Sequence, residues 1–166
     1  MAAVYIRLGI GIGWNDVEYE ALGMNWRDRG SRSEEQIELM RKLWTQDVVN
    51  FSGRWHTVVA AGINPLPVQR PIPIWFGGWA DAVLQRCGRM GDGWYAGYDV
   101  TAQNRGAIDR LRRYTEGAGR DPSSVGIEIS AQLPGFGVGE LAAKWSEWRS
   151  EGVTHVTMNT MGAGLV

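Results

Sequence analysis

The chain has 166 residues, 44% hydrophobic and 21% charged, with a formal net charge of −1. These proportions describe a folded chain long enough to bury a core. The 17 Lys+Arg against 18 Asp+Glu leave no electrostatic footprint for nucleic acid or an anionic membrane surface. The lone Cys87 permits no internal disulfide and no cysteine-based zinc site, and points to a reducing cytoplasm. No basic start with an apolar stretch opens the chain, and its longest uncharged run is too short and polar to cross a bilayer.

The first expected element is a strand over Val4 to Gly13, in which Ile6, Leu8, Ile10 and Ile12 alternate with Arg7, Gly9, Gly11 and Gly13. After a polar, aromatic stretch, Ser33 and Gln36 fit a capping box, opening a helix with Ile37, Met40 and Trp44 at helical spacing. A short hairpin follows between Thr45 and Val58, turning at Ser52-Gly53. The segment Asn64 to Pro73 carries Pro65, Pro67, Pro71 and Pro73 and is expected to run extended. Ile72 to Phe76 reads as a strand ending in Gly77-Gly78, then a helix from Trp79 to Met90 that buries Val83, Cys87 and Met90. Gly93 to Ala96 is a brief strand, and Thr101 to Glu116 a helix with Ile108, Leu111 and Thr115 inward. Val125 to Ala131 alternates as a strand, a helix carries Leu141, Trp145 and Trp148, and Val153 to Met158 is the last strand.

Strands separated by crossover helices predict an α/β fold with a parallel sheet. Strands with one apolar face and one small or polar face favour part of a (β/α) barrel over a doubly wound sheet.

Gly9, Gly11 and Gly13 lie inside a strand rather than at a strand-to-helix turn, so they form no dinucleotide fingerprint. They provide either small residues on an interior face or bare backbone for a flat ligand. Phe76-Gly77-Gly78-Trp79-Ala80 joins a strand to a helix start, where free N–H groups and the helix dipole form a phosphate site or glycine makes a tight bend. Trp14, Trp79 and Trp94 stand beside strand ends, where each either joins the core or flanks a planar ligand, whereas Trp44, Trp145 and Trp148 are expected in the core. His155 is expected as a hydrogen-bonded core residue, and Glu128 as a buried acid or a partner for Arg7. No metal-ligand spacing, nucleophile elbow or lysine phosphate loop occurs, so no catalytic or metal-binding residue is assigned.

The run Arg7-Leu8-Gly9-Ile10-Gly11-Ile12-Gly13-Trp14 with Glu18, Tyr19, Leu22 and Gly23 resembles the luciferase-like flavin and deazaflavin monooxygenases. The resemblance continues through Arg29-Gly30-Ser31-Arg32, Leu43-Trp44-Thr45, Phe51-Ser52-Gly53, Pro73-Ile74-Trp75-Phe76-Gly77-Gly78, Gly91-Asp92-Gly93-Trp94 and Gly152-Val153-Thr154-His155-Val156. It implies a partial TIM barrel over 1–166, about strands four to eight, with a small hairpin insertion after the first helix. It also implies a cofactor, either the deazaflavin coenzyme F-420 or FMN, whose phosphate the backbone of Gly77, Gly78, Trp79 and Ala80 would receive. Gly11, Gly13 and Trp14 would stand near that cofactor, and the substrate would be a small molecule. Trp79 and Ala80 depart from the hydroxyl or amide residues common in the family, leaving only backbone donors. The three βα units that open family members have no counterpart here, so a truncated chain with exposed barrel edges, and a homo-oligomer formed through them, are expected.

Overall fold

The computed structural model describes residues 5–98, 100–132 and 137–161, and the chain divides into two compact units, 1–73 and 74–166.

In the first unit, strand β1 is confined to Leu8–Ile10, shorter than the alternation predicts. Gly13 takes φ +74°, a left-handed conformation that ends the extended run. A short helix α1, Asp16–Ala21, then forms, capped by the Asn15 side chain accepting from the Val17 N–H at 3.2 Å. Nothing in the hydrophobic pattern signals it, because none of its residues is buried. A single 3-10 turn at Trp26–Asp28 feeds directly into α2, Arg29–Thr45. The expected cap at Ser33 is therefore wrong: the chain is already helical there, and Ser33 lies buried at 5% exposure. The inward stripe centres on Ile37 and Leu39, while Met40 and Trp44 are only half-buried.

Strands β2, Val49–Ser52, and β3, Thr57–Ala61, pair antiparallel with Phe51 opposite Val58. This hairpin follows α2, since α1 precedes it. Glu35 fastens α2 to the turn, accepting from the N–H groups of Arg54, Trp55 and His56 at 2.7, 2.9 and 2.8 Å. Its carboxylate also lies 2.8 Å from His56 Nδ1. Burial pushes the Glu35 pKa up, but these hydrogen bonds outweigh it and leave the carboxyl below its ordinary value.

The second unit repeats strand and helix: β4 Ile74–Gly77, α3 Asp81–Met90, β5 Gly93–Gly97, α4 Ala102–Gly117, β6 Gly126–Gln132, α5 Val138–Ser150 and β7 His155–Asn159. Its strands pair in that order and all parallel, as crossover helices require. Each strand turns one face to the helices. Ile74, Phe76, Trp94, Ile127 and Ile129 meet a core completed by Leu84, Cys87, Ile108, Leu111 and Trp148. On α3 the buried positions are Leu84, Arg86, Cys87 and Gly88, while the expected Val83 and Met90 are half-buried. The helix begins at Asp81, two residues later than predicted; Cys87 is buried as expected, and Leu84 rather than Val83 enters the core. Trp145 is half-buried rather than core.

The opposite face of the sheet carries Trp75, Gly93, Tyr95, Gly126, Glu128 and Ser130, following the period-two alternation and the strand register. Trp75 covers the two glycines: a Cβ at Gly93 would stand 2.3 Å from its ring, and one at Gly126 2.6 Å from it. Asp92 closes the lower end of this sheet, its Oδ2 accepting from the Ile74 N–H at 2.8 Å while its own N–H donates to Ile74 O at 2.8 Å. The Gly91-Asp92-Gly93-Trp94 motif is thus spent on joining strands.

Candidate functional site

In parallel α/β folds ligands gather at the carboxyl ends of the strands, where helix N-termini point outward. In the second unit β4 reaches that end at Gly77, whose register partner is Tyr95, and β5 reaches it at Gly97. Gly77 faces open space, since a Cβ there would meet nothing within 4 Å. Gly78 adopts φ +114°, which a side chain would strain. Ala80 is the N-cap of α3 with extended backbone, and no side chain caps that helix. The first N–H groups of an α-helix have no partner inside it, so the Gly77-Gly78-Trp79-Ala80 backbone and the start of α3 present donors at one place.

Two neighbours hold this turn. Trp94, fully buried, donates its indole N–H to Gly78 O at 2.8 Å. It is therefore a buried support beneath the glycine turn rather than the flank of a planar ligand, the two roles its position in the sequence left open. Trp79 is 43% exposed, and its ring leans on Gly97: a Cβ there would lie 3.0 Å from Trp79 Cζ2, and Gly97 has φ +105°. Asp81, in the first turn of α3, pairs with Arg110 of α4, Nε to Oδ1 at 2.8 Å. That carboxylate favours the helix through its dipole but opposes an incoming anion, and Arg110 offsets its charge.

The inner face of the sheet leads away from this turn. Glu128, 9% exposed, accepts a hydrogen bond from the Thr157 hydroxyl. Tyr95, which sequence reasoning did not single out, lies opposite Glu128 in the register. Burial raises the Tyr95 pKa, neighbouring Tyr98 adds to the rise, and Ser130 works against it. The phenol consequently stays protonated as a hydrogen-bond donor at neutral pH. Alternation on β5 was the available signal, since Tyr95 shares a face with Gly93. His155 is exposed, not core; its ring meets Trp75 edge-on at 4.8 Å and its Nδ1 lies 2.8 Å from Thr154 Oγ1.

Cys87 is inert. Its buried thiol contacts Gly93 O at 3.3 Å, and burial pushes its pKa up to about 12.

In the first unit, Gly11 lines a cavity of about 330 Å³ beside β1 with Ile10, Ile12 and residues of α1 and α2. Tyr19 closes one side by donating its hydroxyl to Ile12 O at 2.6 Å. Trp14 is 88% exposed and packs into no core.

Parallel βα units with glycine-lined turns at the strand ends define an α/β chain of the (β/α) type. It belongs to the luciferase-like monooxygenase family, whose model matches residues 6–134. An uncharacterized protein of Mycobacterium tuberculosis is 40% identical over 118 residues, 69% of this chain and 40% of that protein. An F-420-dependent glucose-6-phosphate dehydrogenase of Gordonia bronchialis is 34% identical over 134 residues, 77% of this chain and 39% of that enzyme. The fold is shared with an F-420-dependent secondary alcohol dehydrogenase solved with an F-420-acetone adduct. That match has a TM-score of 0.70 at 15% identity, covering 92% of this chain and 63% of the other. The monooxygenase RslO1 of Streptomyces bottropensis matches with a TM-score of 0.69 at 17% identity, covering 93% and 61%. The chain spans about two fifths of the length of the curated relatives it matches. Among the described residues, no helix is long and apolar enough to cross a membrane.

Proposed function

We propose that this chain forms the cofactor-phosphate-binding part of a luciferase-like oxidoreductase that uses the deazaflavin coenzyme F-420 or FMN. The observation that carries the reading is the uncapped start of α3 directly behind Gly77 and Gly78, with open space where a side chain at Gly77 would be. The backbone N–H groups of Gly77, Gly78, Trp79 and Ala80, with the first turn of α3, receive the phosphate. Gly11, Gly13 and Trp14, just after β1, belong to the cofactor-binding set on this reading. When bound, such a cofactor supplies hydride or oxygen chemistry, and the protein supplies position and exclusion of water.

Of this chain's own groups, Trp94 fixes the carbonyl of Gly78 and so sets the direction of the adjoining N–H groups. Trp79 shields one side of the turn. Tyr95, held protonated, offers a donor on the inner face of the sheet, and Glu128 with Thr157 offers acceptors. The substrate on this reading is a small molecule. The test is a fluorescence titration of the full chain with F-420 and with FMN. Saturable binding of one, weakened in a Gly78→Val variant, supports the reading; no saturable signal with either overturns it.

A second reading has its own observation. Among the described residues β7 pairs only with β6, and beside it Leu141, Trp145 and Met158 line an apolar hollow between α5 and the strand. An unpaired strand edge next to apolar surface favours association, so we propose a homo-oligomer built through this edge. Light scattering on a size-exclusion column decides: a dimer or larger species is expected, and a monomer at micromolar concentration overturns it.

A further inference from the structure

We infer that the Tyr98 hydroxyl donates a hydrogen bond to the cofactor phosphate at the Gly77-Gly78 turn, and that Tyr95 positions Tyr98 for it. The inference rests on the reading given above and adds to it the side-chain donor that Trp79 and Ala80 do not supply.

The open space and the two phenols meet on one face of the sheet. Gly77 lies two residues after Trp75 and so shares its inner face, and its register partner is Tyr95 on the next strand. A Cβ at Gly77 would meet nothing within 4 Å, so the inner face is open there, beside the strand position of Tyr95. Strand β5 ends two residues further on, at Gly97. A Cβ at Gly97 would lie 3.0 Å from Trp79 Cζ2, so the end of β5 touches the residue that follows the glycine pair. Tyr98 comes next and is 59% exposed.

Tyr98 is not a lone surface phenol. It is a hydrogen-bonding neighbour of the half-buried Tyr95, whose other such neighbour is Ser130, 4% exposed. These two contacts act on Tyr95 in opposite directions. Ser130 favours its phenolate, as a donor to the oxygen does, and Tyr98 favours its phenol, as an acceptor of the proton does. The order is therefore Ser130 to Tyr95 to Tyr98. Glu128, opposite Tyr95 and already accepting from the Thr157 hydroxyl, adds negative charge that keeps Tyr95 protonated. A tyrosine hydroxyl carries one proton. Tyr95 spends its proton on Tyr98, so the donor that the pair presents outward is Tyr98. An ionised phosphate oxygen is a strong acceptor for it, because a hydrogen bond to a charged group is stronger than one between neutral groups. The turn and the start of α3 offer backbone N–H groups, and Tyr98 adds a donor from the neighbouring strand.

The test is a fluorescence titration of the full chain with F-420, FMN and riboflavin, the last being FMN without its phosphate, with inorganic phosphate as competitor. Tyr98→Phe removes the hydroxyl and keeps an exposed ring, and thermal melting should show an unchanged Tm. This variant should bind F-420 or FMN about three- to tenfold more weakly, with the same loss for competing phosphate and riboflavin within about twofold of the parent. Tyr95→Phe takes away the donor that orients Tyr98 and should weaken the phosphate-bearing ligand by about two- to threefold, again sparing riboflavin. Equal weakening of FMN and riboflavin would assign Tyr98 to the ring rather than the phosphate and overturn the inference. So would a Tyr98→Phe protein that matches the parent toward the cofactor and phosphate alike. In both of these cases the parent still binds cofactor and the reading above stands, whereas a parent that binds neither F-420 nor FMN overturns both.

Discussion

Gly93→Ala tests how the inner face of the sheet is built. A methyl at Gly93 would lie 2.3 Å from Trp75 Cδ2 and Cε2 and 2.4 Å from Cε3, where ordinary contact begins at 3.4 Å. The ring must therefore retreat by about 1.1 Å, the difference between those distances. Trp75 is 7% exposed and touches His155 edge-on at 4.8 Å, so it has little free space to enter. Overpacking of this kind costs about 1–3 kcal/mol. Urea unfolding is the assay, with a lower midpoint at unchanged slope marking loss of stability rather than a changed denatured state. The cause is isolated by a cycle with Trp75→Leu, which removes the indole that the methyl would strike. The double variant should recover part of the loss, with a coupling of about 0.5–3 kcal/mol. A Gly93→Ala protein within about 0.5 kcal/mol of the parent, or strictly additive effects in the cycle, would refute the packing described.

Further outcomes follow from the same geometry. Trp94→Phe removes the donor to Gly78 O, and about 0.5–1.5 kcal/mol of stability should go with that hydrogen bond; cofactor titration should weaken in parallel, and unchanged affinity would separate Trp94 from the turn. Asp81→Asn removes the carboxylate at the start of α3, so phosphate-bearing ligands should bind about two- to fivefold tighter while the helix loses about 0.3–1 kcal/mol, read by titration and thermal melting. Glu35 has a pKa below its ordinary value, so its contribution is present above the unfolded-state pKa and lost as pH falls through the folded one. The stability gap between the parent and Glu35→Gln should be widest near neutrality and close in acid, and a gap independent of pH would contradict the hydrogen bonding described. Cys87 should react with a thiol reagent only at the rate of unfolding, because it is buried with a pKa near 12.

What the chain's sequence determined by itself was the succession of units and their class. Period-two alternation at Val125 to Ala131 and the helical stripe Ile108, Leu111, Thr115 reappear as β6 and α4, since burial of one face is a property each segment carries locally. The Gly77-Gly78 turn before a helix was legible for the same reason. Elements without a buried face were not: α1 is held by an Asn15 cap and exposes nearly all its residues, so hydrophobic pattern could not mark it. Nor could local signals separate Ser33 as a cap from Ser33 as a buried residue, because the 3-10 turn that starts α2 a turn earlier lies outside the box. Only tertiary structure decided the roles of the tryptophans. Trp94 became a hydrogen-bonded support and Trp75 a cover over two glycines, while Trp14 stayed in solvent. Those outcomes depend on which backbone stands opposite each ring across the strand register, and a contact between residues distant in the chain leaves no periodic trace in either segment.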